Sequence, residues 1–114
     1  MTVSITPQEK HHLIRFENGL HEKAIIELEQ WFGAHAGDVI IDMAALREVE
    51  PATALLFGDL LESQSGKRLV ILIGEEDRLS QWALIRDDFP VTPTYNEGMD
   101  YLFMLQLERE LLDE

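Results

Sequence analysis

Read from its amino end, the chain alternates between short apolar runs and longer stretches with helical spacing. Val3 to Thr6 is a brief run closed by Pro7, which suits an edge strand because proline cannot donate to a sheet ladder. His11 to Glu17 ends at Asn18-Gly19, a strong turn signal, and reads as a second strand paired with the first. From His21 to about His35 the period changes. Ile25, Leu28 and Phe32 fall on one face, Ala24 and Trp31 lie beside them, and Glu22, Glu27, Glu29 and Gln30 are polar. Gly33 and Gly37 mark the exit of this helix. Val39-Ile40-Ile41, ending at Asp42, has the β-branched composition of a strand buried on both faces.

Glu50-Pro51 opens a second helix, since proline in a first turn removes an N–H that has no helical partner anyway. Ala54, Phe57, Leu60 and Leu61 supply its apolar face, and Gly66 ends the connection. Arg68 to Ile73 is the clearest strand, closed by Gly74. Glu75, Glu76 and Asp77 then suit a helix dipole, and Leu79, Trp82, Ala83 and Ile85 continue as a third helix. Pro90 and Pro93 bracket a last strand from Val91 to Tyr95, and Asn96 is placed to cap a final helix from Glu97 onward. The order β, β, α, β, α, β, α, β, α predicts an α/β fold. It has a mixed, mostly parallel sheet of about 4–5 strands, right-handed crossovers and about 4 helices. Neither a repeat nor a linker interrupts it, so one domain over residues 1–114 is expected.

Composition narrows the function. Nine Lys plus Arg stand against 22 Asp plus Glu, a net charge of -13. Nucleic acids need clustered cations for counterion release, and Lys67-Arg68 is the one adjacent pair, so nucleic-acid binding is not expected. Anionic membrane surfaces are disfavoured for the same reason. A basic protein partner would be steered toward this surface. Cysteine is absent, which removes disulfides, thiolate metal sites and a thiol nucleophile. The amino end lacks the cationic and apolar pattern of a signal segment, and no apolar run reaches the roughly 18 residues of a membrane helix. The expectation is a cytoplasmic protein.

Candidate chemistry is sparse. His11 and His12 are adjacent in a strand, so their side chains point to opposite faces, and His21 and His35 bound the first helix. No metal site follows from them. There is no Gly-x-Ser-x-Gly elbow and no glycine-rich phosphate loop, so neither an enzyme nor a cofactor is expected. In the last helix Met99, Leu102, Phe103, Leu107 and Leu111 form a stripe expected to cover the sheet. Tyr101, Met104, Leu105 and Leu112 carry apolar character to other sides. That surplus is either a contact surface, for a partner or for a homodimer, or part of a broad buried face.

The stretch from Asp38 to Leu56 resembles the centre of a STAS domain of the anti-sigma factor antagonist type. A hydrophobic strand ends in an acid, Asp42, and an apolar pair precedes a motif at a helix start. Gly66 to Leu72 and Val91 to Asp100 are similar to the family's later strands and to the start of its final helix. The resemblance implies a protein-interaction module of a bacterial partner-switching system in transcription regulation. Its partner would be a regulatory protein of the anti-sigma factor kinase kind. The implied contact surface is Asp42 with the loop Val49, Glu50, Pro51, Ala52 and Thr53 and the helix that follows. In such antagonists a serine in the motif is phosphorylated, and the added charge of roughly -1.5 to -2 breaks the complex. Here Pro51 stands at that position and has no hydroxyl, while Glu50 replaces the motif's aspartate with a longer side chain. Thr53 is the nearest surviving hydroxyl, either a displaced phosphoacceptor or a first-turn threonine with a local hydrogen bond. The alternative reading on the same fold is a sensor of a small, nucleotide-like ligand in the groove beside the second helix.

Overall fold

The computed structural model describes residues 2–46, 48–75 and 89–112. Its elements are β1 (Val3–Pro7), β2 (His12–Phe16), α1 (Glu22–Ala34), β3 (Val39–Asp42), α2 (Pro51–Ser63), β4 (Val70–Ile73), β5 (Val91–Thr92) and α3 (Tyr95–Leu112). The described residues thus hold three of the four helices expected. The helix expected around Leu79 to Ile85 lies outside the described residues.

The strands form one sheet in the order β1-β2-β3-β4-β5. β1 runs antiparallel to β2, and every other pair is parallel. The fold is therefore α/β with a mixed, mostly parallel sheet. Register explains why both faces are apolar. Ile14 is aligned with Ile41 and Leu72, while Leu13 is aligned with Ile40 and Ile71. Successive side chains point to opposite faces, so the first set meets α1 and α2 and the second meets α3. Consecutive parallel strands joined by right-handed crossovers place their helices on the same face, and α1 and α2 do pack together over the first set. The last helix covers the other face through Leu102.

Arg68 makes the strand β4 start later than its apolar pattern suggests, at Val70 rather than at Arg68. Its guanidinium donates to the carbonyls of Phe32 at 3.1 Å, His35 at 2.7 Å and Gly37 at 3.0 Å, and lies 4.6 Å from the centre of the Phe32 ring. A cation there satisfies carbonyls that the end of α1 leaves unpaired. α1 itself runs to Ala34, so Gly33 sits inside its last turn, and the turn is made by Gly37 at a φ of 112°.

Asp38, just before β3, is buried at 5% exposure. One carboxylate oxygen accepts from the Leu69 amide at 2.9 Å and from Arg109 Nη1 at 3.0 Å. The other accepts from Gln106 Nε2 and Arg109 Nη2, both at 2.8 Å. Its backbone carbonyl takes the His12 N–H at 3.0 Å. One residue therefore ties the start of β2, the approach to β4 and the middle of α3 to β3. Burial alone would push this carboxyl upward, but the donors from Arg109, Leu69 and Gln106 outweigh burial and hold it below its ordinary value.

These contacts set the rotation of α3, and they correct two expectations. Thr94, not Asn96, caps the helix, because its Oγ1 accepts from the Glu97 N–H at 3.2 Å. Thr94-x-x-Glu97 has the spacing of a capping box. The sheet-facing line is Tyr95, Gly98, Met99, Leu102 and Leu105, whereas Phe103, Leu107 and Leu111 face outward. Arg109 and Gln106 pull that line toward Asp38. Gly98 lets the helix approach closely, since a Cβ there would lie 3.1 Å from Thr92 Oγ1.

Two measurements check this arrangement. Leu102 is fully buried and Leu107 is 60% exposed. Chemical denaturation should show Leu102→Ala losing about 3 kcal/mol and Leu107→Ala less than about 0.5 kcal/mol. If the outward stripe were the buried one, the order would reverse. Asp38 has a folded-state pKa below its ordinary 3.8, so its contribution is complete above that value and is lost as pH falls through the folded one. The stability gap between wild type and Asp38→Asn should therefore be widest near neutral pH and close under acid. Taking the difference cancels the relief of repulsion among the other carboxylates.

Candidate functional site

The carboxyl ends of the parallel strands are where open α/β sheets bind their ligands. Asp42 is the last residue of β3 and is half-buried. Its Oδ1 accepts from the Ala44 N–H at 3.0 Å, closing a turn, and its Oδ2 pairs with Arg15 Nε at 3.2 Å. Arg15 is largely exposed, so this ion pair contributes little, and the turn is the firmer role. Arg15, Phe16, Asp42, Ala44, Ala45 and Leu46 line a shallow cavity of about 200 Å³.

The loop that follows is built separately. Val49 is partly buried against the first core. Glu50 is the residue before α2, extended at φ -61° and ψ 140°, and its exposed side chain makes no capping hydrogen bond. Its carbonyl accepts from the Ala54 N–H at 2.9 Å. Pro51 is the first helical residue and Ala52 beside it is exposed, while Thr53 is half-buried. The Thr53 hydroxyl has no hydrogen bond to a described residue, so the local bond expected of it does not form. None of residues 49–53 lines the cavity beside Asp42.

Past this loop α2 buries Ala54, Phe57, Leu60 and Leu61 as its periodicity predicts. Its outer side carries Leu55 and Leu56, both nearly half exposed, and Asp59. With Ala52 these stand three or four residues apart and so form one ridge. Between α1 and α2 runs an open groove of about 510 Å³, floored by Ile25, Phe32 and Leu60 and edged by Ile26, Leu56 and Lys67.

The candidate contact residues of α3 divide. Tyr101 and Met104 are exposed, whereas Leu105 is partly buried against the second core. His11 and His12 do point to opposite faces. His11 bonds to the Tyr95 hydroxyl, and the His12 ring meets the edge of Trp31 at 4.9 Å between centroids. Burial, aided by the neighbouring His12, lowers the His11 pKa against the opposing pull of Asp38. Among the described residues no group of three His, Asp or Glu is placed to hold a metal ion. No helix among them is long and apolar enough to cross a membrane.

Sequence reasoning missed the Asp38, Gln106 and Arg109 network and the Arg68 clamp. The available signal was weak. Arg109 is the single cation in an acidic helix, and an acid just before a buried strand is readily taken for a turn residue. Neither a family model nor a curated protein matches the chain.

If Asp42 serves chiefly to close its turn, Asp42→Ala should lower stability by about 1 kcal/mol and Asp42→Asn by clearly less, because an amide oxygen still accepts from Ala44. Equal losses in thermal denaturation would assign the effect to the ion pair with Arg15 instead.

Proposed function

We propose that the chain is a non-enzymatic protein-interaction module, similar to an anti-sigma factor antagonist, that binds a cytoplasmic regulatory protein through the start and outer side of α2. The observation that carries this reading is the exposed ridge Ala52, Leu55, Leu56 and Asp59, headed by the uncapped Glu50 carboxylate. Apolar side chains rimmed by acids suit a partner with a basic, partly apolar face. Pro51 fixes the backbone at the first helical turn and supplies no hydroxyl, so binding at this surface is constitutive, without a phosphoserine switch. The half-buried Thr53 is a poor substitute phosphoacceptor, because a kinase needs the hydroxyl and its backbone in the open.

The test is affinity capture from the native lysate with wild type and Glu50→Lys, followed by identification of the captured proteins. Expected is an anti-sigma factor kinase or a relative of one, held by wild type and reduced at least about tenfold by the charge reversal. Capture of the same proteins by both would place the contact elsewhere. The groove between α1 and α2 favours a second reading, a small-ligand sensor, because its volume falls in the usual range for ligand sites. A thermal-shift screen with nucleotides separates the two. A stabilisation that Leu60→Trp abolishes supports the sensor, and no shift supports the interaction module.

A further inference from the structure

The outward side of α3 carries a second exposed apolar face, on a different element from α2. Met104, Leu107 and Leu111 are all exposed and lie three and four residues apart, which is the spacing of a coiled-coil seam. Phe103, also exposed, widens the line on one side. The sheet-facing line of the same helix is fully engaged through Leu102, Gln106 and Arg109, so rotation cannot bury the seam.

Charge decides what can cover it. The helix carries four acids, Glu97, Asp100, Glu108 and Glu110, and one cation, Arg109, which is bound to Asp38. Asp100 falls on the seam one turn before Met104, and Glu108 and Glu110 flank its apolar end on either side. A second copy docked in parallel or antiparallel sets acids against acids, with Lys10 beside Phe103 the one offsetting cation among the described residues. An anionic lipid surface is repelled in the same way. The complementary occupant has leucine-like residues at seam spacing and Lys or Arg on both flanks.

We propose that the outer face of α3 docks a basic amphipathic helix of a partner protein, with Leu107 at the centre of the seam and Glu108 and Glu110 selecting the partner by charge.

The test uses the full chain and three synthetic peptides of about four heptads. The first has leucine at the seam positions and lysine on the flanks. The second has glutamate on the flanks. The third scrambles the composition of the first. Fluorescence anisotropy should show the lysine peptide binding at least about tenfold tighter than the scramble, with the glutamate peptide unbound. Leu107→Ser should weaken the lysine peptide by about tenfold, and Glu108→Lys with Glu110→Lys should transfer preference to the glutamate peptide. Because both sites are exposed, far-ultraviolet circular dichroism should show each variant folded. Glu50→Lys should leave peptide affinity unchanged, so failure here and failure of the α2 surface are distinguishable. Equal binding of the lysine peptide and its scramble would overturn the proposal, as would no binding at all. Sedimentation showing a dimer that Leu107→Ser dissolves would overturn it in favour of a second copy.

Discussion

A single buried carboxylate holds the two halves of this domain in register. Asp38 lies where β3 begins and is the point at which the sheet is joined to its last helix. Four donors converge on its two oxygens, one from the backbone before β4 and three from two side chains of α3. Asp38 is buried and Arg109 half exposed, and the fixed geometry of such a pair favours one arrangement of the helix over others. α3 is apolar on many sides, and hydrophobic matching alone would allow several rotations. The bidentate Arg109 pair and the Gln106 bond select the one that buries Leu102 and Gly98.

The outer face of α3 follows from that selection. With Leu102 turned inward, Met104, Leu107 and Leu111 must turn outward. The opposite face of the sheet is closed independently by α1 and α2, whose own outer side retains Leu55 and Leu56. The domain thus presents two acid-rimmed apolar ridges on different elements, in a chain of net charge -13. Such a pattern suits encounter with basic partners, for which long-range attraction raises the association rate and short apolar ridges supply the hold.

The fold was legible wherever backbone chemistry and period agreed. Pro7, Asn18-Gly19 and Pro51 mark boundaries that the structure reproduces, and the β-branched run Val39-Ile40-Ile41 is buried as its composition predicts. It was less legible where a polar residue decided the outcome. Arg68 looks like the first residue of a strand but serves the end of α1. Asn96 is a good capping residue, yet Thr94 occupies the capping position one turn from Glu97. In α3 apolar period alone favoured the stripe through Phe103, Leu107 and Leu111, because the sequence does not show that Arg109 will be drawn to Asp38, 71 positions away. The candidate site is a similar case. Asp42 and the loop 49–53 follow one another past the end of β3, but the sequence alone does not reveal that residues 49–53 stay off the cavity beside Asp42.

Native-state hydrogen exchange on wild type and Asp38→Asn tests the central claim most directly, since it reads each segment separately. Loss of the pair should raise exchange selectively in α3 and at Leu69, while α1, α2 and the centres of β2 and β3 keep their protection. Uniform acceleration across the whole domain, or no change in α3, would contradict the view that Asp38 is what fixes the last helix to the sheet.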